Sequence, residues 1–402
     1  QEPDRYIYRA PFVLPVCAPV IVDGAVITEQ GRVVAVGRYG DLKETDAELV
    51  DYEGHVITPA LVNGHVHLEL SHLAALGQEP QGAQGDMPSW IAALLEQRAA
   101  AIHLEEAAAD ARYALARLYA GGCAAVIDIG NLPESRTLGE GFKTAISFHQ
   151  EFLGLAAASQ QQAMERLQAA PPDLCCTAHA PYSTGATLLR ALKERTRQNK
   201  CLFPIHVAES ADEIELLRNG TGRFRVFLEE RGAWDGSFTP PGVGAVAYLD
   251  RLGVLDAQTL CVHGVHVTAE EIRLLAERGA RVCLCPGSNR YMGVGRAPLA
   301  AMLAQGILPA LGTDSLASNS HLSLWQEMAI LREEHPEVPP GEVLAMASRN
   351  GARILGIERE LGVIAPGVSS SLVAVECAAK TGDEALEYLT TAGPVIRLEW
   401  IE

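Results

Sequence analysis

The apolar positions between residues 59 and 355 fall into short runs, separated by longer segments rich in alanine, leucine, glutamate and arginine. Continuous apolar runs of this length are typical of strands that are buried on both faces of a parallel sheet. The pattern predicts eight such strands: Leu61–His67, Cys123–Ile129, Ala145–His149, Cys175–His179, Leu202–Val207, Thr259–His263, Arg281–Cys285 and Ile307–Gly312.

The segments between these strands have helical composition and spacing. The clearest helical segments are Ile91–Tyr119, Gln161–Gln168, Leu188–Gln198, Ala269–Arg278 and Pro298–Gln305. Alternation of strand and helix eight times predicts an α/β fold, a closed (β/α)8 barrel of the TIM type over residues 59–355. A doubly wound open sheet is the alternative that the same alternation allows.

The two ends of the chain have a different pattern from the middle. Residues 1–58 contain short β-type segments that are separated by the turn dipeptides Asp23-Gly24 and Gln30-Gly31. The last stretch, residues 356–402, has the same character, for example in Ser371–Val375. We therefore expect both termini to form one small β-sandwich domain.

Composition and charge narrow the class of protein. Of the 402 residues, 48% are hydrophobic and 20% are charged, as in ordinary globular enzymes. The sequence contains no apolar run of about 18 residues, so we expect no membrane span. The net charge of −18 argues against nucleic acid as a partner. A small-molecule substrate is the expected partner.

The nine cysteines are odd in number, scattered, and free of any Cys-x-x-Cys pair. This pattern predicts neither a zinc knuckle nor a disulfide framework. Reduced, buried thiols and a cytoplasmic location are the expectation.

Histidine and aspartate recur where the predicted strands end. His65 and His67 are one residue apart on the first strand, so both side chains point to the same face. His206 ends the fifth strand and Asp314 follows the eighth. In a barrel these ends converge, and three imidazoles with one carboxylate could bind a divalent metal and leave room for water. The alternative for each residue is a structural role, such as a buried hydrogen-bonded histidine.

Six segments in a fixed order resemble those of a known group of enzymes. They are LVNGHVHLEL, TAHAPYS, PIHVAES, CVHGVHVTAEE, CPGSN and ALGTDSLASN, between residues 61 and 319. Together they resemble the amidohydrolase superfamily, in particular its deaminase and chlorohydrolase branch. The resemblance implies one metal ion, most commonly zinc and otherwise iron, with His65, His67, His206 and Asp314 as its ligands.

The resemblance also implies roles in catalysis. Glu209 resembles the acid that carries protons in deaminases, and His263 resembles the residue that orients the attacking water. Asp314 would accept a proton in addition to binding the metal. His179 resembles a histidine that contacts the substrate, whereas His266 is expected to be structural.

The substrate is less sharply indicated by the sequence. Trp90, Ser288 and Asn289 are candidates for substrate binding, and His149, Glu151 and Phe152 either line the mouth or pack in the core. Arg290 or Arg136 could bind a carboxylate, although each could equally be a solvated surface arginine.

A carboxylate-bearing aminopurine nucleoside would suit such an arginine, so 6-aminodeoxyfutalosine of menaquinone biosynthesis is the expected substrate by resemblance. The alternatives are adenosine or S-adenosylhomocysteine, guanine or cytosine, a chlorotriazine, or an inactive scaffold. A homodimer is expected by analogy alone.

Overall fold

Fifteen strands are present in the computed structural model, which describes residues 5–43, 46–80, 82–100 and 104–401. They are β1 (Arg5–Val13), β2 (Ile21–Glu29), β3 (Arg32–Arg38), β4 (Glu48–Asp51), β5 (His55–Pro59), β6 (Leu61–Val66), β7 (Cys123–Gly130), β8 (Ala145–Phe152), β9 (Cys176–Ala178), β10 (Phe203–Val207), β11 (Thr259–His263), β12 (Arg281–Leu284), β13 (Ala310–Leu311), β14 (Leu372–Glu376) and β15 (Leu398–Ile401). All eight strands predicted for the middle of the chain are among them.

These eight strands form two parallel sheets of four, with the orders β6-β7-β8-β9 and β10-β11-β12-β13. Backbone hydrogen bonds also join the two sheets at both edges. The His206 N–H donates to the carbonyl of His179 at 3.0 Å, and the Thr313 N–H donates to the carbonyl of His65 at 3.1 Å. The ends of β6, β9, β10 and β13 therefore lie side by side.

An apolar cluster contains side chains from both sheets. Ile127 of β7 lies in it with Leu260 and Val262 of β11, Cys283 of β12 and Ala310 of β13. All five are buried. Burial of one large aliphatic side chain contributes about 1.5–3 kcal/mol, so this shared interior holds the sheets together.

Helices cover the segments between the strands. They are α1 (Tyr39–Leu42), α2 (Ala74–Gly77), α3 (Met87–Ala100), α4 (Leu104–Ala120), α5 (Ala157–Ala169), α6 (Ala186–Asn199), α7 (Ala211–Asn219), α8 (Arg223–Glu230), α9 (Ala245–Arg251), α10 (Ala269–Arg278), α11 (Pro286–Met292), α12 (Leu299–Ala304), α13 (Leu324–Glu334), α14 (Pro340–Met346), α15 (Arg349–Ile354) and α16 (Gly382–Thr391), with 3-10 turns at Leu68–Leu73, Pro133–Thr137 and Gly393–Val395. The helix predicted over Ile91–Tyr119 corresponds to α3 and α4, and residues 101–103 between them lie outside the described residues.

Both ends of the chain contribute strands to one sheet. Seven strands take part, in the order β15-β14-β5-β1-β2-β3 with β4 beside β1. The antiparallel pairing of β14 with β5 sets Leu372 opposite Pro59 and joins the two termini. The structure gives one hydrogen-bonded sheet here, so the sandwich form stays a prediction.

The expectation of reduced thiols throughout was wrong at one pair. Cys175 and Cys201 form a disulfide, with their Cα atoms 6.0 Å apart. They precede β9 and β10, which lie side by side, but 26 residues of sequence separate them and no short motif marks the pair. The cytoplasmic location loses this support and stays a prediction.

Across the described ranges, no helix combines the length and the apolar character that crossing a membrane requires.

Gly312, directly after β13, allows the close approach on which the site depends. A Cβ atom there would lie 2.7 Å from the backbone nitrogen of His65 and 2.8 Å from its Cβ. Because backbone atoms cannot rotate away, we expect Gly312→Ala to lower the free energy of unfolding by about 1–3 kcal/mol in urea denaturation. Gly341→Ala in α14 is the control, since among the described residues no atom outside its chain neighbours and its own helix backbone lies within 4 Å of the Cβ position. This replacement should raise the free energy of unfolding slightly, because alanine favours a helix more than glycine does. Equal denaturation midpoints for the two variants would contradict the expectation.

Candidate metal centre

Three imidazoles and one carboxylate meet where β6, β10 and β13 end. The Nε2 atoms of His65 and His67 lie 3.4 and 3.5 Å from the same oxygen, Oδ1 of Asp314. The Nε2 atom of His67 is 3.2 Å from that of His206. His67 is 139 residues from His206 and 247 residues from Asp314 along the chain. Side chains that are distant in sequence thus present their donor atoms to one small volume.

The backbone turns sharply at the ends of β10, β11 and β13. Ala208, His263 and Asp314 have φ angles of 54°, 79° and 57°, which L-residues rarely adopt. Such conformations cost about 1–3 kcal/mol each and cluster at functional sites. The turn at Asp314 is held by its own N–H, which donates to the carbonyl of His65 at 3.0 Å.

Carbonyl groups fix the orientation of two of the imidazoles. Nδ1 of His67 donates to the carbonyl of Ile129 at 3.0 Å, and Nδ1 of His206 donates to the carbonyl of His179 at 2.7 Å. A neutral imidazole that donates from Nδ1 carries a lone pair on Nε2. Two lone pairs therefore face each other, which is the arrangement of histidines that bind a metal.

The donor set fits a divalent cation. His65 is fully buried, and within the described residues neither of its ring nitrogens has a hydrogen-bond partner. A buried polar atom without a partner is costly, and a cation shared with Asp314 would satisfy Nε2. Three imidazole nitrogens and one carboxylate oxygen are a set that zinc and iron both accept.

Burial sets the protonation states that metal binding requires. It lowers the pKa of His67 and lowers that of His206 well below the ordinary value, with help from neighbouring imidazoles. Burial alone would raise the pKa of Asp314, but His65, His67 and His263 bring it well below its usual range. These directions favour neutral His67 and His206 and an ionised Asp314 near pH 7, the forms that bind metals.

A second carboxyl group has the opposite environment. Oε1 of Glu209 lies 3.4 Å from Nε2 of His263. Burial, with the charge of Asp314, raises the pKa of Glu209 well above its ordinary value. This environment favours the protonated form of Glu209 beside an ionised aspartate.

Several residues that hydrogen-bond to the site have a different role from the predicted one, or were not predicted from the sequence. Ser288 donates to Oδ2 of Asp314 at 2.8 Å, and Asn289 accepts from Nδ1 of His263 at 2.9 Å. The two predicted substrate-binding residues thus contact protein groups. Glu213, four residues after Glu209, accepts from the Glu209 N–H at 2.8 Å. Its place on the first turn of α7 was the only signal in the sequence.

A sequence model described as the amidohydrolase family matches residues 56–398, most of the chain, including every residue of the cluster. The chain belongs to the amidohydrolase family. It is therefore a metal-dependent hydrolase.

Two curated relatives of this amidohydrolase are deaminases. A 5-methylthioadenosine/S-adenosylhomocysteine deaminase of Moorella thermoacetica is 28% identical over 381 residues, covering 90% of this chain and 84% of that protein. An aminodeoxyfutalosine deaminase of Deinococcus radiodurans is 28% identical over 352 residues, covering 83% and 81%. The crystal structure of an adenosine deaminase from Xanthomonas campestris with bound zinc has a TM-score of 0.74 and 25% identity, covering 96% of this chain and 88% of that chain.

The remaining predicted residues of the amidohydrolase are divided between the site and the surface. His179 lies beside His206, with ring centroids 5.0 Å apart. Trp90 donates from its indole to the carbonyl of Ala317 at 3.1 Å, in the loop that follows Asp314. His266 contacts the carbonyl of Val294 at 2.8 Å, in keeping with a structural role.

The two arginines expected to bind a substrate carboxylate are engaged elsewhere. Arg136 pairs with Asp173 at 2.6 Å, and Arg290 pairs with Glu333 and Glu334 at 3.1 and 3.2 Å. Both arginine side chains are partly exposed, at 40% and 46%. The structure therefore does not bring either arginine into the cluster.

The cluster predicts metal binding that depends on His206. We expect the purified chain to retain about one equivalent of divalent metal after dialysis, measured by elemental analysis. Loss of a residue that only hydrogen-bonds to a metal ligand lowers metal affinity by ~10–100-fold. His206→Asn removes a ligand itself, so it should lower the affinity for the metal by more than that. His266→Asn is the matched control and should retain the metal. Full metal retention by His206→Asn would remove His206 from the ligand set.

Proposed function

We propose that this amidohydrolase is a hydrolytic deaminase, which releases ammonia from the 6-amino group of an adenine-type nucleoside. The observation that carries this proposal is the position of Glu209, a buried carboxyl group with a raised pKa beside His263 and Asp314. Attack on an aromatic amidine requires protonation of the ring nitrogen, and Glu209 is placed to supply that proton. The names of the two curated relatives support the same chemistry.

His65, His67, His206 and Asp314 would hold one divalent cation, with zinc favoured because the related adenosine deaminase structure contains it and iron as the alternative. When bound, such a cation lowers the pKa of its water toward neutrality and so supplies hydroxide.

The protein's own groups move the protons. Glu209 donates to the ring nitrogen as the water attacks, and a proton then passes to the departing ammonia. Asp314, ionised through its imidazole neighbours, accepts a proton from the attacking water. His263 presents its Nε2 lone pair to the same region, because Asn289 accepts from its Nδ1. It orients the water by accepting a hydrogen bond from one of its O–H groups.

Within the adenine-type class, we favour 6-aminodeoxyfutalosine, and hence a step of menaquinone biosynthesis. The support is the relative from Deinococcus radiodurans rather than a carboxylate-binding arginine, since Arg136 and Arg290 are paired on the surface. 5-Methylthioadenosine and S-adenosylhomocysteine are the competing substrates, through the equally similar relative from Moorella thermoacetica.

We further propose a closed (β/α)8 barrel over residues 59–355, with residues 1–58 and 356–402 as the small domain. Hydrogen bonds between the sheets at both edges support closure, as does the apolar cluster that they share. A closed barrel would bring all eight strand ends to one mouth, where enzymes of this shape hold their catalytic groups.

Replacement of Glu209 tests its role directly. Glu209→Gln keeps the shape but cannot donate a carboxyl proton, so kcat should fall about 100-fold or more. Elemental analysis should show unchanged metal, because Glu209 lies outside the ligand set. Glu270→Gln, at an exposed position on α10, is the control and should be fully active. Activity of the Glu209 variant within tenfold of the natural enzyme would remove Glu209 from this role.

Ammonia release from a substrate panel tests the reaction and the substrate. The panel contains 6-aminodeoxyfutalosine, 5-methylthioadenosine, S-adenosylhomocysteine, adenosine, guanine, cytosine and a chlorotriazine. We expect kcat/KM to be highest for 6-aminodeoxyfutalosine. Equal values on adenosine would reject that substrate but keep the class, whereas chloride release from the triazine alone would reject deamination.

A further inference from the structure

We infer that Glu151 binds a sugar hydroxyl group of the nucleoside substrate and so selects for it. The inference rests on the proposed function, because that function supplies the substrate. Glu151 lies near the end of β8 and is 9% exposed. Its carboxylate forms a close group with His179 and His206, in which one ligand atom of each lies within 4.8 Å of the others.

A buried network holds this carboxylate in place. Oε1 of Glu151 accepts from the side-chain amide of Asn131 at 3.1 Å. The backbone N–H of Asn131 donates to Glu69 at 2.7 Å, and Arg98 donates to the same Glu69 oxygen and to the side-chain oxygen of Asn131. Segments from α3 and from the loops after β6 and β7 therefore converge to fix one oxygen of Glu151.

The other carboxylate oxygen lacks a partner. Among the described residues, Oε2 of Glu151 is buried and accepts no hydrogen bond. Its nearest cationic candidate is Nδ1 of His206 at 3.8 Å, but that N–H already donates to the carbonyl of His179. A buried acceptor left open is costly unless a ligand completes it. A carboxylate is acceptor-only when ionised, so the ligand must offer an O–H or N–H donor.

The layout of the site identifies the donor. Glu209 lies 3.4 Å from His263, and Glu151 lies 3.8 Å from His206. The rings of these two histidines have centroids 5.8 Å apart, so the two carboxyl groups border different imidazoles. The amino group that leaves must lie at the Glu209 end. The donors of a nucleoside that lie farthest from that amino group are the sugar hydroxyls, and they fall at the Glu151 end. A metal ion is excluded there because Nδ1 of His206 has no lone pair to offer.

Deoxynucleosides test the inference. The probes are adenosine, 2′-deoxyadenosine and 3′-deoxyadenosine, and kcat and KM are measured for each by the absorbance change on deamination. The natural enzyme should prefer adenosine over at least one deoxy analogue by about tenfold or more, since a buried hydrogen bond to Glu151 is lost. In Glu151→Gln this preference should fall to under about threefold, mainly through KM. Asn131→Ala, which frees Oε1, should lower the preference in the same direction.

Controls separate this role from a structural one. Gln150→Ala changes the neighbouring position on the opposite face of β8 and should keep the full preference. An equal loss of activity of Glu151→Gln on all three nucleosides, or loss of its metal, would overturn the inference. In that case Glu151 supports His206 instead. Failure of the natural enzyme to deaminate any aminopurine would reject the proposed function itself, which is a distinct result.

Discussion

The contact of the Asp314 carboxylate with His65 and His67 is the constraint on which the rest of the site depends. It brings the end of β13 in one sheet against the end of β6 in the other. Oδ1 of Asp314 lies 3.4 and 3.5 Å from Nε2 of His65 and of His67. Burial of the charge is offset by the surrounding imidazoles and by the hydroxyl of Ser288. The approach also needs a residue without a side chain at Gly312, where a Cβ would meet the backbone of His65.

One consequence is that two carboxyl groups in the same enclosed volume have opposite protonation states. Asp314 is surrounded by imidazoles, which lower its pKa, whereas Glu209 is buried beside that negative charge, which raises its pKa. His263 lies between them, 3.4 Å from Glu209 and 3.8 Å from Asp314. Pairs of titratable groups whose environments separate their pKa values are suited to acid and base roles. The site can thus offer a proton and accept one without a change in pH.

The sequence predicted the strands and the four residues of the candidate metal cluster because both follow from local patterns. Side chains alternate between faces along a strand, so His65 and His67 point to the same face. The order of the parallel strands places His206 and Asp314 at the carboxyl ends of theirs, on the same side of the fold. Side-chain partners do not follow from such patterns. Arg290 was expected at the substrate, yet it sits on the side of α11 that faces Glu333 and Glu334. A seven-residue helix does not show from its sequence alone which neighbour each side chain will meet.

For the same reason, substrate-binding residues are harder to predict from sequence than the residues of a metal site. Ligand atoms for a metal must converge on one point. Strand order and the alternation of side chains are therefore enough to predict which residues supply them. A substrate is contacted along its length, and each contact depends on how a separate segment is held. Glu151 illustrates this, because its orientation depends on Asn131 and Glu69 in two other loops rather than on its own strand. The rings of His263 and His206, which lie beside Glu209 and Glu151 respectively, have centroids 5.8 Å apart. Under the proposed function, Glu209 would face the amine of the nucleoside and Glu151 its sugar.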